Sequence, residues 1–343
     1  MKRKAVVVCP GRGTYNKAEL GYIARHHSEK SDFLAKFDEQ RLAAGQMPIR
    51  ELDTAPRFST NLHTRGDNAS ALIFAASYLD SLEACSAFDV VAVTGNSMGW
   101  YTTLAVAGAS RPEDAFQIVN TMGGLMQKSL IGGQCVYPIV AEDWQADPQA
   151  RADLIDVIEA INALDGHTLA LSIDLGGMLV VAGDAAGLDA FERKLPKVQG
   201  RFPLRLPNHA AFHTVLQHPV AALGREALNE KLFGMADVPM IDGRGMVWHP
   251  HSYRATDLRD YTLGAQVTET YDFSAAVRVA ARTFAPDVFV VLGPGDTLGG
   301  AVAQSLIAID WMRLDCKSTF QARQKEAPVL LSMGREADRS RMR

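Results

Sequence analysis

Phe88-Asp89-Val90-Val91-Ala92-Val93-Thr94-Gly95-Asn96-Ser97-Met98-Gly99-Trp100 is the stretch on which the reading of this chain turns. Its first half is apolar and rich in β-branched residues on both faces. That is the pattern of a strand covered on both sides in a parallel sheet. Its second half sets a serine between two glycines, and Trp100 to Gly108 then reads as a helix. Strand, G-x-S-x-G and helix in that order form the context of a nucleophile elbow. The serine of such a turn is strained so that Oγ rises above the sheet, and a Cβ at either glycine would clash. The helix behind it aims backbone N–H groups at a developing oxyanion. A glycine turn without chemistry is the alternative, and the flanking strand and helix weigh against it.

The neighbouring segments extend the pattern. Ala5 to Cys9 is a second buried strand and runs into the loop Pro10-Gly11-Arg12-Gly13-Thr14. Ala69 to Leu82 and Arg111 to Leu130 read as helices, the latter with Pro112 in its first turn. Asp287 to Leu292 is a further buried strand, ending at Gly293-Pro294-Gly295. Between these, Cys135–Val140, Pro148–Leu164, Leu169–Asp174, Met178–Ala182, Ala186–Leu195 and Phe202–Leu206 alternate β-α-β-β-α-β, a ferredoxin-like signature. The fold class predicted is α/β, with an α/β-hydrolase-like parallel-sheet core and an inserted ferredoxin-like small subdomain. The core takes residues 1–131 and 207–322, and the insert takes 132–206. Residues 323–343 are charged and read as a C-terminal tail, solvated from Arg335 onward.

A length of 343 residues suits two domains or one large domain with an insertion. The net charge of −4 argues against a nucleic-acid binder, which carries a basic excess. The four cysteines, Cys9, Cys85, Cys135 and Cys316, contain no CxxC pair. They support neither a zinc ribbon nor a disulfide framework, and point to reduced thiols in a cytoplasmic protein. The apolar run after Met1-Lys2-Arg3-Lys4 is too short for a signal-peptide core. No stretch approaches the ~20 apolar residues of a membrane span.

A serine nucleophile needs a base, and the chain has nine histidines. His26, His27 and His63 precede the elbow, and His167 lies in a turn. His209, His213 and His218 cluster near Pro207 and Pro219, and His249 and His251 fall in a later loop. Residue types alone do not choose among them.

Four segments, in order, resemble those of the malonyl-CoA:acyl carrier protein transacylases and related polyketide-synthase acyltransferases. Gly95-Asn96-Ser97-Met98-Gly99-Trp100-Tyr101 is similar to their G-H-S-x-G-E-Y elbow. Pro10 to Thr14 is similar to their P-G-Q-G-S/T loop, and Ala210-Ala211-Phe212-His213-Thr214 to their H-A-F-H-S segment. Leu292 to Leu298 is similar to x-G-P-G-x-x-L. The resemblance spans about residues 4–310. It implies Ser97 as nucleophile and His213 as general base. It implies an oxyanion hole from the backbone N–H groups of Arg12 and Met98. It also matches Gln266 to the residue whose backbone carbonyl supports the histidine, leaving its side chain unspecified. The implied reaction moves an acyl group from acyl-CoA, through an ester on Ser97, to the phosphopantetheine thiol of an acyl carrier protein in fatty-acid or polyketide synthesis. No metal or redox cofactor is implied, nor any nucleic-acid or membrane partner.

The chain also departs from the pattern. Matching Leu125-Met126-Gln127 to the family's F/L-M-Q places Met122 where malonyl-specific members carry a carboxylate-binding arginine. Methionine cannot pair with a carboxylate, which favours an acetyl or longer apolar acyl group. Phe212 pulls the other way, since phenylalanine is the malonyl-type choice there. Arg12, in place of the family's glutamine, is a second candidate to meet the acyl group. Met122, Phe212 and Arg12 are thus the expected substrate-binding residues. Two other functions fit the same scaffold: an acyl-thioester hydrolase that clears carrier proteins, and a non-catalytic carrier-protein docking module.

Overall fold

The computed structural model describes residues 2–342. Its strands are β1 (Lys4–Cys9), β2 (Asp89–Gly95), β3 (Gly133–Pro138), β4 (Leu169–Leu175), β5 (Met178–Gly183), β6 (Leu204–Arg205), β7 (Met240–Ile241), β8 (Val247–Trp248), β9 (Tyr271–Asp272), β10 (Val288–Val291) and β11 (Leu330–Ser332). They form two sheets, ordered β11-β10-β1-β2-β7-β8 and β6-β3-β5-β4-β9.

The first sheet is parallel except for the β7–β8 hairpin. Its centre is β1, whose residues Ala5 to Cys9 are fully buried. A strand with no polar face requires cover on both sides. Helices Gly66–Ala87, Pro112–Ser129, Phe273–Phe284 and Leu298–Ile307 pack their apolar residues into the same core. The nucleophile turn therefore leaves the sheet beside its fully buried central strand.

The second sheet holds β3, helix Pro148–Asn162, β4, β5, helix Ala185–Lys194 and β6 in β-α-β-β-α-β succession. The β6–β3, β3–β5 and β5–β4 pairs are antiparallel. Its last strand is β9, which comes from much later in the chain and pairs parallel with β4 through Ile173–Tyr271 and Asp174–Asp272.

Three segments differ from the sequence reading. The strand expected over Phe202–Leu206 shrinks to Leu204–Arg205, because Pro203 has no N–H for the ladder. A β7–β8 hairpin, absent from the sequence reading, precedes the loop of His249 and His251. The region read as a tail is packed: Leu331 and Met333 are buried and β11 extends the main sheet beside β10. Arg339 is also buried and pairs with Asp80 and, at 2.8 Å, with Glu83. Asp80 further accepts from Tyr22 Oη at 2.7 Å and from Gly293 N at 2.8 Å, and contacts His27 Nε2 at 2.7 Å. The charged flanks of Val329-Leu330-Leu331 hid a strand, and an internal carboxylate supplied the partner for a tail arginine. All four thiols are free. Among the described residues no helix is long and apolar enough to cross a membrane.

Candidate active site

The elbow forms as its glycines dictate. Ser97 has φ of 55°, in the left-handed region that side-chain-bearing residues rarely adopt. A Cβ on Gly99 would collide with the Cys9 carbonyl, and one on Gly95 with the Gly99 backbone. Both positions therefore admit only glycine if β1, β2 and the turn are to approach this closely. Helix Gly99–Val106 starts at once, with Trp100 buried and its Nε1 donating to Thr262 Oγ1 at 2.9 Å. The N–H groups of Met98 and Arg12 have no acceptor within the chain among the described residues.

Ser97 Oγ lies 2.7 Å from His213 Nε2, and His213 Nδ1 lies 2.7 Å from the Gln266 carbonyl oxygen. A carbonyl only accepts, so Nδ1 carries the proton and Nε2 is left free to take one from Ser97. His213 is itself strained, with φ of 59°, and its backbone N–H donates to the Val267 carbonyl at 3.0 Å. Burial pushes its pKa down to about 4, partly countered by the Gln266 carbonyl. The imidazole is therefore neutral at pH 7, the form a general base needs. No carboxylate touches His213 among the described residues, so the arrangement is a serine–histidine dyad oriented by a backbone carbonyl.

The Gln266 side chain has its own place in this geometry. Its Nε2 donates to the Ser97 carbonyl at 3.0 Å, and its Oε1 accepts from Tyr101 Oη at 3.1 Å. One residue thus orients the base through its backbone and grips the nucleophile turn through its side chain. Tyr101 lies four residues beyond Ser97, one helical turn along, which was the available signal for it.

Two spaces meet at Ser97. A small chamber of about 20 Å³ is lined by Arg12, Ser70, Gly123, Met126 and Phe212, together with the dyad. A larger cleft of about 370 Å³ runs between the two sheets to Ser97, with walls including Val136, Ile173, Leu175, Met178, Phe212 and Leu298. Arg12 and Phe212 border both. Met122 borders neither. The face that helix Pro112–Ser129 turns to the chamber is Gly123 and Met126. Met122 is fully buried elsewhere, with Sδ 2.7 Å from where a Cβ on Gly224 would stand. Its expected place on the acyl-pocket wall is corrected accordingly: the motif match gave the right helix but a side chain pointing into the core.

No family model matches this chain. Among curated proteins it is similar to the malonyl CoA-acyl carrier protein transacylase of Bacillus subtilis (strain 168), at 24% identity over 211 residues. That match covers 61% of this chain and 62% of the relative's length. The crystal structure of a malonyl-CoA:acyl carrier protein transacylase from Xanthomonas oryzae pv. oryzae superposes with a TM-score of 0.77 at 17% identity, over 98% of this chain and 96% of that one. An acyl-carrier-protein S-malonyltransferase from Burkholderia pseudomallei 1710b superposes with a TM-score of 0.74 at 19% identity, over 98% of each chain. The chain is thus a sequence relative of one malonyl-CoA:acyl carrier protein transacylase and shares the fold of the crystallised ones, the resemblance its four motifs carry.

Proposed function

We propose that this protein is an acyltransferase that moves a short acyl group from a coenzyme A thioester to the phosphopantetheine thiol of an acyl carrier protein. The observation that carries the reading is the line Ser97 Oγ, His213 Nε2, His213 Nδ1, Gln266 carbonyl, with both separations at 2.7 Å. The names of the relatives support the choice of thioester donor and carrier-protein acceptor. Synthesis of fatty acids or polyketides is the setting in which such a transfer is used.

The steps follow from the geometry. As Ser97 Oγ attacks the thioester carbon, its proton passes to His213 Nε2. The carbonyl oxygen becomes an oxyanion facing the unpaired N–H groups of Arg12 and Met98. The C–S bond breaks, and the proton on His213 goes to the departing thiolate. An ester on Ser97 remains. A carrier-protein thiol then gives its proton to His213 and attacks that ester, and the return of the proton to Ser97 Oγ closes the cycle. The chamber holds the short acyl group, while the cleft admits the thioester arm. The cleft's wall is mixed, and its aliphatic part, Val136, Ile173, Leu175, Met178 and Leu298, suits the pantetheine arm of a thiol acceptor, which supports transfer over hydrolysis.

Intact-mass measurement after incubation with acetyl-CoA and malonyl-CoA tests the reading. The protein is expected to gain one acyl mass, and Ser97→Ala is expected to gain none. Addition of a phosphopantetheinylated carrier protein should move that mass to the carrier. Acylation of Ser97→Ala, or release of the acyl group only to water, overturns it.

A further inference from the structure

We propose that His209 holds the arm of the thioester, its Nε2 accepting the N–H of the pantetheine amide nearest the sulfur. The proposal rests on the acyl-transfer reading above. His209 stands on the wall of the cleft that runs to Ser97. Its ring centre lies 5.9 Å from that of Phe212, which borders the chamber as well. The imidazole is thus one ring's width from the chamber mouth, where the thioester sulfur leaves the acyl group. The first amide of a pantetheine arm follows that sulfur after a single ethylene link.

A chain of buried hydrogen bonds, read from its far end, makes Nε2 an acceptor. The Phe212 carbonyl can only accept, so the Ser172 hydroxyl spends its proton there, at 2.8 Å. Ser172 Oγ must then accept from Gln134, whose Nε2 donates to it at 2.7 Å. That turns Gln134 Oε1 toward His209, 2.8 Å from Nδ1, so Nδ1 carries the proton. Nε2 is left as a bare acceptor with no partner among the described residues. Ser172 and Gln134 are buried on β4 and β3, and their bond bridges over β5 between them, so water does not reorder the chain. Desolvation and the nearby Arg12 charge hold the His209 pKa well below the ordinary histidine value. The ring is therefore neutral at pH 7, and Nε2 keeps its lone pair.

A bare ring nitrogen needs a donor. Carbonyls and phosphates are acceptors, and close to the sulfur a pantetheine arm offers one N–H. Coenzyme A and the prosthetic group of a carrier protein share this arm, so one contact seats the donor thioester and the acceptor thiol alike. The chain also ends on Phe212, the residue before the base. Arm and base are thus held through one short segment, from His209 to His213.

The test uses two small thioesters that differ at the group in question. The N-acetylcysteamine thioester carries the amide, and the 2-acetoxyethyl thioester has an ester oxygen in place of the N–H. The acyl group is acetyl or malonyl, whichever loads from its coenzyme A thioester. Single-turnover loading of Ser97 is followed by intact mass on the full chain. Wild type is expected to load from the amide about 5- to 50-fold faster, the span of one desolvated polar group left unpaired. In His209→Asn the side-chain amide takes the place of Nδ1 and keeps the bond to Gln134, while Nε2 disappears. Its ratio should fall toward one. Gln134→Met, which frees the ring to take its other tautomer, should lower the ratio in part. A wild type without preference overturns the proposal. So does a ratio unmoved in either variant, as when both thioesters slow equally because the side chain only supports the fold. Normal loading with slowed transfer to the carrier thiol in His209→Asn would make Nε2 a base for that thiol, and overturns it too. Loading without an amide preference removes this inference and leaves acyl transfer standing. Failure of every thioester to load, those of coenzyme A included, removes the transfer reading itself.

Discussion

Replacing Gln266 by leucine separates its two tasks, because the backbone carbonyl that orients His213 survives while the side-chain amide is lost. Gln266 is 3% exposed, so water cannot take the amide's place. The Ser97 carbonyl keeps one donor, the Trp100 N–H at 3.0 Å, and loses only the bond from Gln266. Tyr101, at 2% exposure, loses the acceptor of its hydroxyl altogether. A lost bond of about 0.5–1.5 kcal/mol and an orphaned buried hydroxyl of about 1–3 kcal/mol together predict a destabilisation of about 2–4 kcal/mol. The nucleophile turn is also released on one side, and a misplacement of about 1 Å costs about 10²-fold in rate. Urea unfolding gives the first quantity, and single-turnover acylation of Ser97 in the folded protein gives the second. Adding Tyr101→Phe removes the orphaned hydroxyl, so the double variant should be more stable than the sum of the single losses by about 1–2 kcal/mol. A Gln266→Leu enzyme that acylates at the wild-type rate would refute the clamp. Strict additivity in the double variant would refute the accounting behind it.

His213→Ala should slow acylation by about 10²–10⁴-fold, the usual contribution of a positioned base, and a comparable loss in His209→Ala instead would move the base elsewhere. Because burial holds His213 neutral down to about pH 4, the acylation rate should stay level from pH 8 to about 5. Below that it should fall with a midpoint near 4, since protonation removes the base; a midpoint near 6.5 in a rate–pH profile contradicts that environment. Arg339→Ala strips Asp80 of its guanidinium partner and should destabilise the fold by about 3–5 kcal/mol in urea titration, with Arg339→Lys recovering part. A loss under about 1 kcal/mol would show that His27, Tyr22 and Gly293 N suffice for that carboxylate.

What could be read from the sequence was whatever local rules determine. The unbroken apolar runs of β1, β2 and β10 announce strands buried on both faces, and glycines at 95 and 99 announce a turn that tolerates no Cβ. Ser97 follows from these alone. His213 does not: only the resemblance of Ala211-Phe212-His213 to a known segment separates it from eight other histidines, because base and nucleophile are 116 positions apart. The Gln266 side chain and the direction of Met122 depend on how helices rotate against each other, which no motif spacing records. The C-terminal segment misled for a related reason. A run of charged residues reads as solvated unless its partner is known, and Asp80 sits 259 residues from Arg339.

β9 gives the architecture a seam that is stitched twice. Residues 132–206, read from the sequence as an insert, carry β3 to β6, the arrangement of a cassette exchangeable whole between relatives. It is not separable in that way. Tyr271 and Asp272 belong to the main chain yet complete the insert's sheet, and the Tyr271 hydroxyl bonds the Gly95 carbonyl at 2.6 Å while its ring lies 5.3 Å from that of His213. A chimera that imports residues 132–206 alone sets a foreign β4 against the native β9. Any misfit there is felt directly under the base. The natural unit of exchange is therefore discontinuous, and a graft that keeps the dyad in register must carry residues 264–272 along with the insert.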